Sequence, residues 1–341
     1  MTGAGRYAEL AAAVRSFKAE LIRPSQIERF VEAGSLSEIV GLLTKGGIAY
    51  AEGTDLNAVE VFLTQRVAEL AKRLAAYAPH DSRSLIKLFS TWYELECVKV
   101  IIRSITDQIQ PEEALRHLVP AGKFTEERCK ELIEARNLNR VIEMIDDEAL
   151  QAFLAPSLTA ERSGITAVFA VDQYHYTRLW NASNLPDPLD AQSARGLIGE
   201  LIDHLNILLA FRARLIGLDA RSTSDLMIPV NYALGHSLNE LAESTNTHSL
   251  MRVLEKTRYA KAFQGPGLSD GSAAGVERAL NRSHAITCLN AFAGSPFNVG
   301  LALALLFLKN YELRDLFSII NGKANNAPMD RVLDSLILRV S

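Results

Sequence analysis

At 341 residues, with 48% hydrophobic and 22% charged residues and a formal net charge of −4, the chain carries enough apolar surface for one large core or several small ones. That balance excludes a general nucleic-acid binder, which needs a basic arm or a strongly basic patch. Cys97, Cys129 and Cys288 lie far apart with no CxxC pair, the pattern of a reduced, cytosolic chain with free thiols.

The opening MTGAGRYAELAAAVRSFKAEL is not expected to be a secretory leader, because Arg6, Glu9, Arg15, Lys18 and Glu20 interrupt its apolar run. GLLTKGG (41–47) has phosphate-loop glycine spacing, but its Lys precedes the glycines and no Ser/Thr follows a Gly-Lys pair, so a helix-ending loop is expected. Across 58–77, Val59, Phe62, Leu63, Val67, Leu70 and Leu74 fall on one broad helical face. Shorter versions follow in ALRHL, RCKELIEA, LNRVIEMI, GHSLNELAE and HSLMRVLEKT. Breaks are expected at Pro24-Ser25, Gly46-Gly47, Pro79, Pro120, Pro156, 184–190 and 265–272. The apolar run at 299–308 is too short for a bilayer, which takes roughly 20 residues. No alternating run with hairpin turns recurs, so the expected class is all-α.

Three segments repeat at intervals of 109 residues. ELECVKVIIR starts at Glu94, DHLNILLAFR at Asp203 and ELRDLFSIIN at Glu312. Arg103 and Arg212 stand nine residues after the first two acids, and Asn321, with Lys323 nearby, after the third. Units of this kind lack complete cores and bury their faces against neighbours. The expected division is 1–93, 94–202 and 203–311 as three helical units in a pseudo-threefold arrangement, with 312–341 as a closing helical segment. Nine residues amount to two and a half helical turns, so acid and Arg point to opposite sides of their own helix. The macrodipole accounts for such charges at helix ends. A sharper expectation makes Glu94, Arg103, Asp203, Arg212 and Glu312 structural charges, an acid of one unit pairing with a base of its neighbour.

Catalytic chemistry finds little support. Asp172, His175 and Tyr176 share a helix face, and Asp203 adjoins His204, but no HExxH motif or Cys/His cluster completes a metal set. Cys97 and Cys288 sit in apolar helices as packing residues, and SPFNVG (295–300) lacks a nucleophile elbow. No catalytic, cofactor or metal site is expected.

WYELECVKVIIRS, LIDHLNILLAFRARLIGL with LMIP downstream, and LKNYELRDLFSIINGK resemble the three signature segments of the C/d-subunit family of rotary V-type and archaeal A-type ATPases. The resemblance extends from YAELAAAVRSFKAELI to the last helix. Members often carry Asn three residues after the acid; Asn206 keeps it, whereas Cys97 and Asp315 replace it. The resemblance implies a funnel-shaped, non-catalytic central-stalk protein, peripheral on the cytoplasmic face of the membrane, without cofactor or span. Its implied partners are the central shaft subunits of D and F type and the c/K-type proteolipid rotor ring, between which it passes torque for proton or sodium transport. The polar stretches 134–140 and 236–250 have the composition of ring contacts, though solvated helix surface explains them as well. Two other readings fit parts of the sequence: a helical-repeat adaptor for another partner, and a metal-dependent hydrolase built on Asp172, His175 and His204.

Overall fold

The computed structural model describes residues 3–45, 56–159, 163–264 and 272–339. The breaks expected at Gly46-Gly47 and 265–271 lie outside them. Six long helices dominate: α4 (Leu56–Tyr77), α5 (His80–Thr106), α10 (Ser163–Ala182), α11 (Pro188–Leu215), α15 (Ala273–Ala291) and α16 (Gly300–Ala324). They form three consecutive hairpins, closed by the short breaks at 78–79, 183–187 and 292–299. Before the first hairpin come α1 (Gly3–Lys18), α2 (Pro24–Glu32) and α3 (Leu36–Lys45). After it come α6 (Pro111–Arg116), α7 (Glu126–Glu134), α8 (Leu138–Met144) and α9 (Glu148–Leu154). The second is followed by α12 (Ala220–Leu226), α13 (Ser237–Glu243) and α14 (Thr247–Leu254), and the third by α17 (Met329–Ser335). No β-strand occurs among the described residues, so the class is all-α.

Helices of seven to nine residues cannot stand on propensity alone, and the sequence supplies caps. Thr125, Asn137, Asp147, Asp219 and Asn246 each accept a backbone N–H in the first turn of α7, α8, α9, α12 and α14. A cap of this kind contributes about 1 kcal/mol. The long helices are held by burial instead. Residues 299–308, which open α16, are buried on every side, with Val299, Ala302, Leu303 and Leu306 at 0% exposure. A helix apolar all round belongs in a core, and no described helix is long and apolar enough to cross a membrane.

The long helices pack in a closed circuit. α4 lies on α5, α5 on α10, α10 on α11, α11 on α15, α15 on α16, and α16 returns to α4. α1 seals the last junction by packing on both α4 and α16, and α17 contacts α2, so the two ends of the chain meet beside the third hairpin. The three repeated acids fall mid-helix, in α5, α11 and α16. Divisions at 93/94, 202/203 and 311/312 therefore pass through helices, while each hairpin and its trailing short helices stay together in sequence.

Candidate functional site

The repeated segment has two working faces. The acid and the residue three positions later lie on the first, and both bind loops. Asp203, at 0% exposure, accepts the backbone N–H groups of Ala233 (2.8 Å) and Tyr232 (3.4 Å) and the Tyr259 hydroxyl (2.6 Å). Glu94 lies within reach of the Lys123 amide, whose pull lowers its pKa against burial. Lys123 and Tyr232 are both 29 residues past their acid. Glu312 accepts from Ile22 (2.8 Å), at the opposite end of the sequence, and from Lys309 on its own helix (3.0 Å). Burial raises the pKa of all three carboxyls, against the pull of these donors. Gly122 adopts φ +56° under Glu94, and any side chain there would collide with that carboxylate.

Three residues on, Asn206 Oδ1 accepts from Ile228 N (2.8 Å) and Nδ2 donates to Ile228 O (3.1 Å). Cys97 Sγ donates to Val119 O (3.1 Å), and Asp315 accepts from Ile337 N (2.7 Å) and Leu338 N (2.8 Å). Val119, Ile228 and Ile337 are each 22 residues past their partner. The two departures from the family's Asn thus do the same work with other chemistry. The acids accordingly hold backbone amides, Glu312 alongside the Lys309 ammonium of its own helix, whereas the expectation was a base on a neighbouring unit; a fixed loop N–H helps to satisfy a buried carboxylate without a charge from another unit.

The second face looks inward. Positions two before the acid (Trp92, Leu201, Asn310), two after (Glu96, Leu205, Arg314) and five after (Lys99, Leu208, Phe317) follow i, i+4, i+7 spacing and line one cavity of about 880 Å³ inside the circuit. Arg103 and Arg212, nine after the acid, line it too, on the side of the helix away from the clamps. Its charges are mostly paired. Lys99 sits between Glu96 (2.5 Å) and Asp172 (2.8 Å), and Glu277 of α15 takes Arg212 (2.8 Å) and Arg314 (2.5 Å). Arg212 thereby links the second hairpin to the third; Arg103 is exposed and makes no ion pair among the described residues. Sequence reasoning missed Lys99, Glu277 and Arg314, although the +2 and +5 positions of the repeat mark two of them.

The residues weighed for chemistry do not converge on a reaction. Asp172 faces the Lys99 ammonium, and burial pushes the His175 imidazole down to about 3. His204 shares the cavity wall but belongs to α11, with Glu200 Oε1 3.9 Å from its Nε2. No group of three His, Cys, Asp or Glu among the described residues is arranged to hold a metal ion. Cys97, Cys129 and Cys288 are buried and unbridged.

Comparison with known proteins gives this architecture its relatives. The chain is 25% identical to the A-type ATP synthase C subunit of Methanocaldococcus jannaschii over 345 residues, covering 97% of this chain and 86% of that protein. It is 25% identical to the protein of the same name from Methanosphaera stadtmanae, covering 96% of this chain and 86% of the relative. For that of Haloferax volcanii the identity is 26%, with 92% and 89% covered. The family model described as ATP synthase (C/AC39) subunit matches residues 10–334. A match of that extent, spanning all three clamped helices, places the chain in the ATP synthase (C/AC39) subunit family.

Proposed function

We propose that the chain is a non-catalytic spacer in the central stalk of an A-type rotary ATPase, seated between the shaft and the membrane rotor ring on the cytoplasmic face. The observation that carries this reading is the closed circuit of six long helices around a cavity of mixed polar and apolar lining. One shaft end, supplied by subunits of D and F type, occupies that cavity, and the opposite surface rests on the c/K-type proteolipid ring. In this reading each hairpin with its short helices is one of three sectors of a funnel. The charges that cross between sectors, Arg212 to Glu277 among them, fix how the sectors sit.

Torque transmission requires stiffness, and close-packed interiors strain little under load. The clamps serve it by tying each sector's loops to the middle of its long helix, where a buried acceptor makes release costly. The test is co-purification from detergent-solubilised native membranes. The chain should elute with both shaft and ring, and the purified chain alone should hydrolyse no ATP. Elution without either partner, or turnover by the isolated chain, overturns the reading.

A further inference from the structure

The charges that line the cavity are unevenly distributed. Along α5, its C-cap and α10 the wall carries Glu96, Asp107 and Asp172 against Lys99 and Arg103, an excess of one negative charge. The wall made by α11, α15 and α16 carries Arg212 and Arg314 against Glu277, an excess of one positive charge. There α15 packs on both neighbours, and Glu277 gives one carboxylate oxygen to each arginine, Oε2 to Arg212 (2.8 Å) and Oε1 to Arg314 (2.5 Å). Neither guanidinium makes another hydrogen bond or ion pair among the described residues. Their side chains are 48% and 39% exposed, so an occupant of the cavity can reach both. Asn281 follows Glu277 by one turn on the same face of α15. It is only 8% exposed and makes no hydrogen bond among the described residues, yet its amide keeps accessible surface on the cavity.

The two excesses are not equivalent. Burial raises the Asp172 carboxyl in spite of Lys99, so the acidic wall can relieve its excess by taking up a proton. An arginine has no such escape, because it does not lose its proton in a protein. When an occupant fills the cavity and expels water, the unmatched guanidinium charge is buried without a counter-ion, which is strongly unfavourable. The occupant therefore has to bring an acid to the α11, α15 and α16 wall. The donors for it are in place. A guanidinium has five N–H groups in a planar fork that suits a carboxylate, and each of these two spends one on Glu277. The Asn281 amide adds N–H donors that nothing in the chain competes for. Donors on three helices thus face one carboxylate where their charge calls for two.

We infer that Arg212, Arg314 and Asn281 form a carboxylate receptor in the cavity wall, which takes a glutamate or aspartate side chain from the inserted end of the shaft. This rests on the spacer reading, which names the shaft as occupant, and adds the chemistry the shaft must bring and the wall that reads it.

The experiment is calorimetric titration of the full chain with the purified shaft subunits, alongside melting curves of the free chain. Arg212→Gln and Arg314→Gln should each weaken binding about tenfold and flatten its dependence on salt. Both free variants should melt close to wild type, because Glu277 keeps one arginine in each. Asn281→Ala should weaken binding about fivefold with no change in melting, since its amide is unpaired before the shaft arrives. Arg212→Glu should weaken binding about a hundredfold, and a shaft with one acid of its inserted end changed to lysine should restore it. Wild-type affinity in both Gln variants, or rescue by none of the acid-to-lysine shafts, overturns the inference and leaves the spacer reading standing. A lowered melting temperature accompanying the lost affinity also overturns it, by making the residues structural. Should the arginine variants fail to fold, Asn281→Ala decides alone. Failure of the wild-type chain to bind the shaft sinks the spacer reading, and the receptor with it.

Discussion

Asp315 accepts the backbone N–H of Leu338 at 2.8 Å, through the oxygen not already taken by Ile337. In the other two repeats the position equivalent to Leu338 is Pro120 or Pro229, which has no N–H to give. There the clamping residue is Cys97 or Asn206, and its donor goes to a carbonyl instead. Side chain and loop thus match in hydrogen-bond sense at each repeat: two acceptor oxygens face two amides, and a donor faces a carbonyl next to a proline.

The Asp315 clamp should make stability depend on pH. Burial, resisted by the amides of Ile337 and Leu338, raises its pKa from 3.8 to about 6. The folded state then holds the proton more tightly than the unfolded state. Stability from this group is full below pH 4, falls between pH 4 and 6, and is flat above. The loss is about 3 kcal/mol. Asp315→Asn removes this slope, so urea unfolding at pH 4, 5, 6 and 7 should show the variant gaining on wild type by about that amount. A constant difference across the series would mean that Asp315 ionises in the fold as it does in water.

Asn206 should tolerate no substitution of its donor. It is at 0% exposure and bonds both polar groups of Ile228. Asn206→Ala leaves the buried Ile228 N–H without a partner, while its C=O keeps the Val230 N–H (2.7 Å), a cost of about 1–3 kcal/mol. Asn206→Asp retains the acceptor but sets a carboxylate oxygen against the Ile228 carbonyl, so its deficit should be larger at pH 7 than at pH 4. Denaturant titration at the two pH values checks both statements.

Much of this was legible in the sequence. The 109-residue spacing located the three helices, and nine-residue geometry put Arg103 and Arg212 on the far side of the helix from the acids. What was not legible was the partner of each acid. Ile22 and Glu312 are 290 positions apart and share no pattern that announces contact. The loop partners had a signal that spacing alone could have found: Val119-Pro120, Ile228-Pro229 and Ile337-Leu338 recur at one offset from the clamp. The inward charges were hidden for a different reason. At +5 the three repeats carry Lys99, Leu208 and Phe317, so the cavity wall differs chemically from repeat to repeat and only the position, not a residue type, marks it.

Gly122 should be irreplaceable in the first clamp. Its φ of +56° costs a residue with a Cβ about 1–2 kcal/mol, and that Cβ would also drive the Glu94 carboxylate off the Lys123 amide. Gly122→Ala should therefore destabilise by about 2–4 kcal/mol in thermal or denaturant unfolding. Truncating the obstructing side chain relieves only the collision. Gly122→Ala should thus cost less in a Glu94→Ala background than in the wild type, and equal costs in the two backgrounds would show that the carboxylate is not what the glycine accommodates.

The matching of clamp to loop makes its sharpest demand on a double-mutant cycle at 315 and 338. Leu338→Pro in the wild-type chain deletes one of the two amides that satisfy Asp315, leaving a buried carboxylate oxygen unpaired, and should destabilise by about 2–3 kcal/mol. With Asp315→Asn present, the third clamp acquires the chemistry of the second, where Asn206 bonds only Ile228 and ignores Pro229. Proline should then cost little, because the backbone at the equivalent position of two other repeats already accepts it. The coupling between the two substitutions should be favourable by at least about 1 kcal/mol, the range expected of residues in direct contact. Simple additivity would show that the three loops differ in backbone path and that their hydrogen-bond agreement with the clamps is incidental.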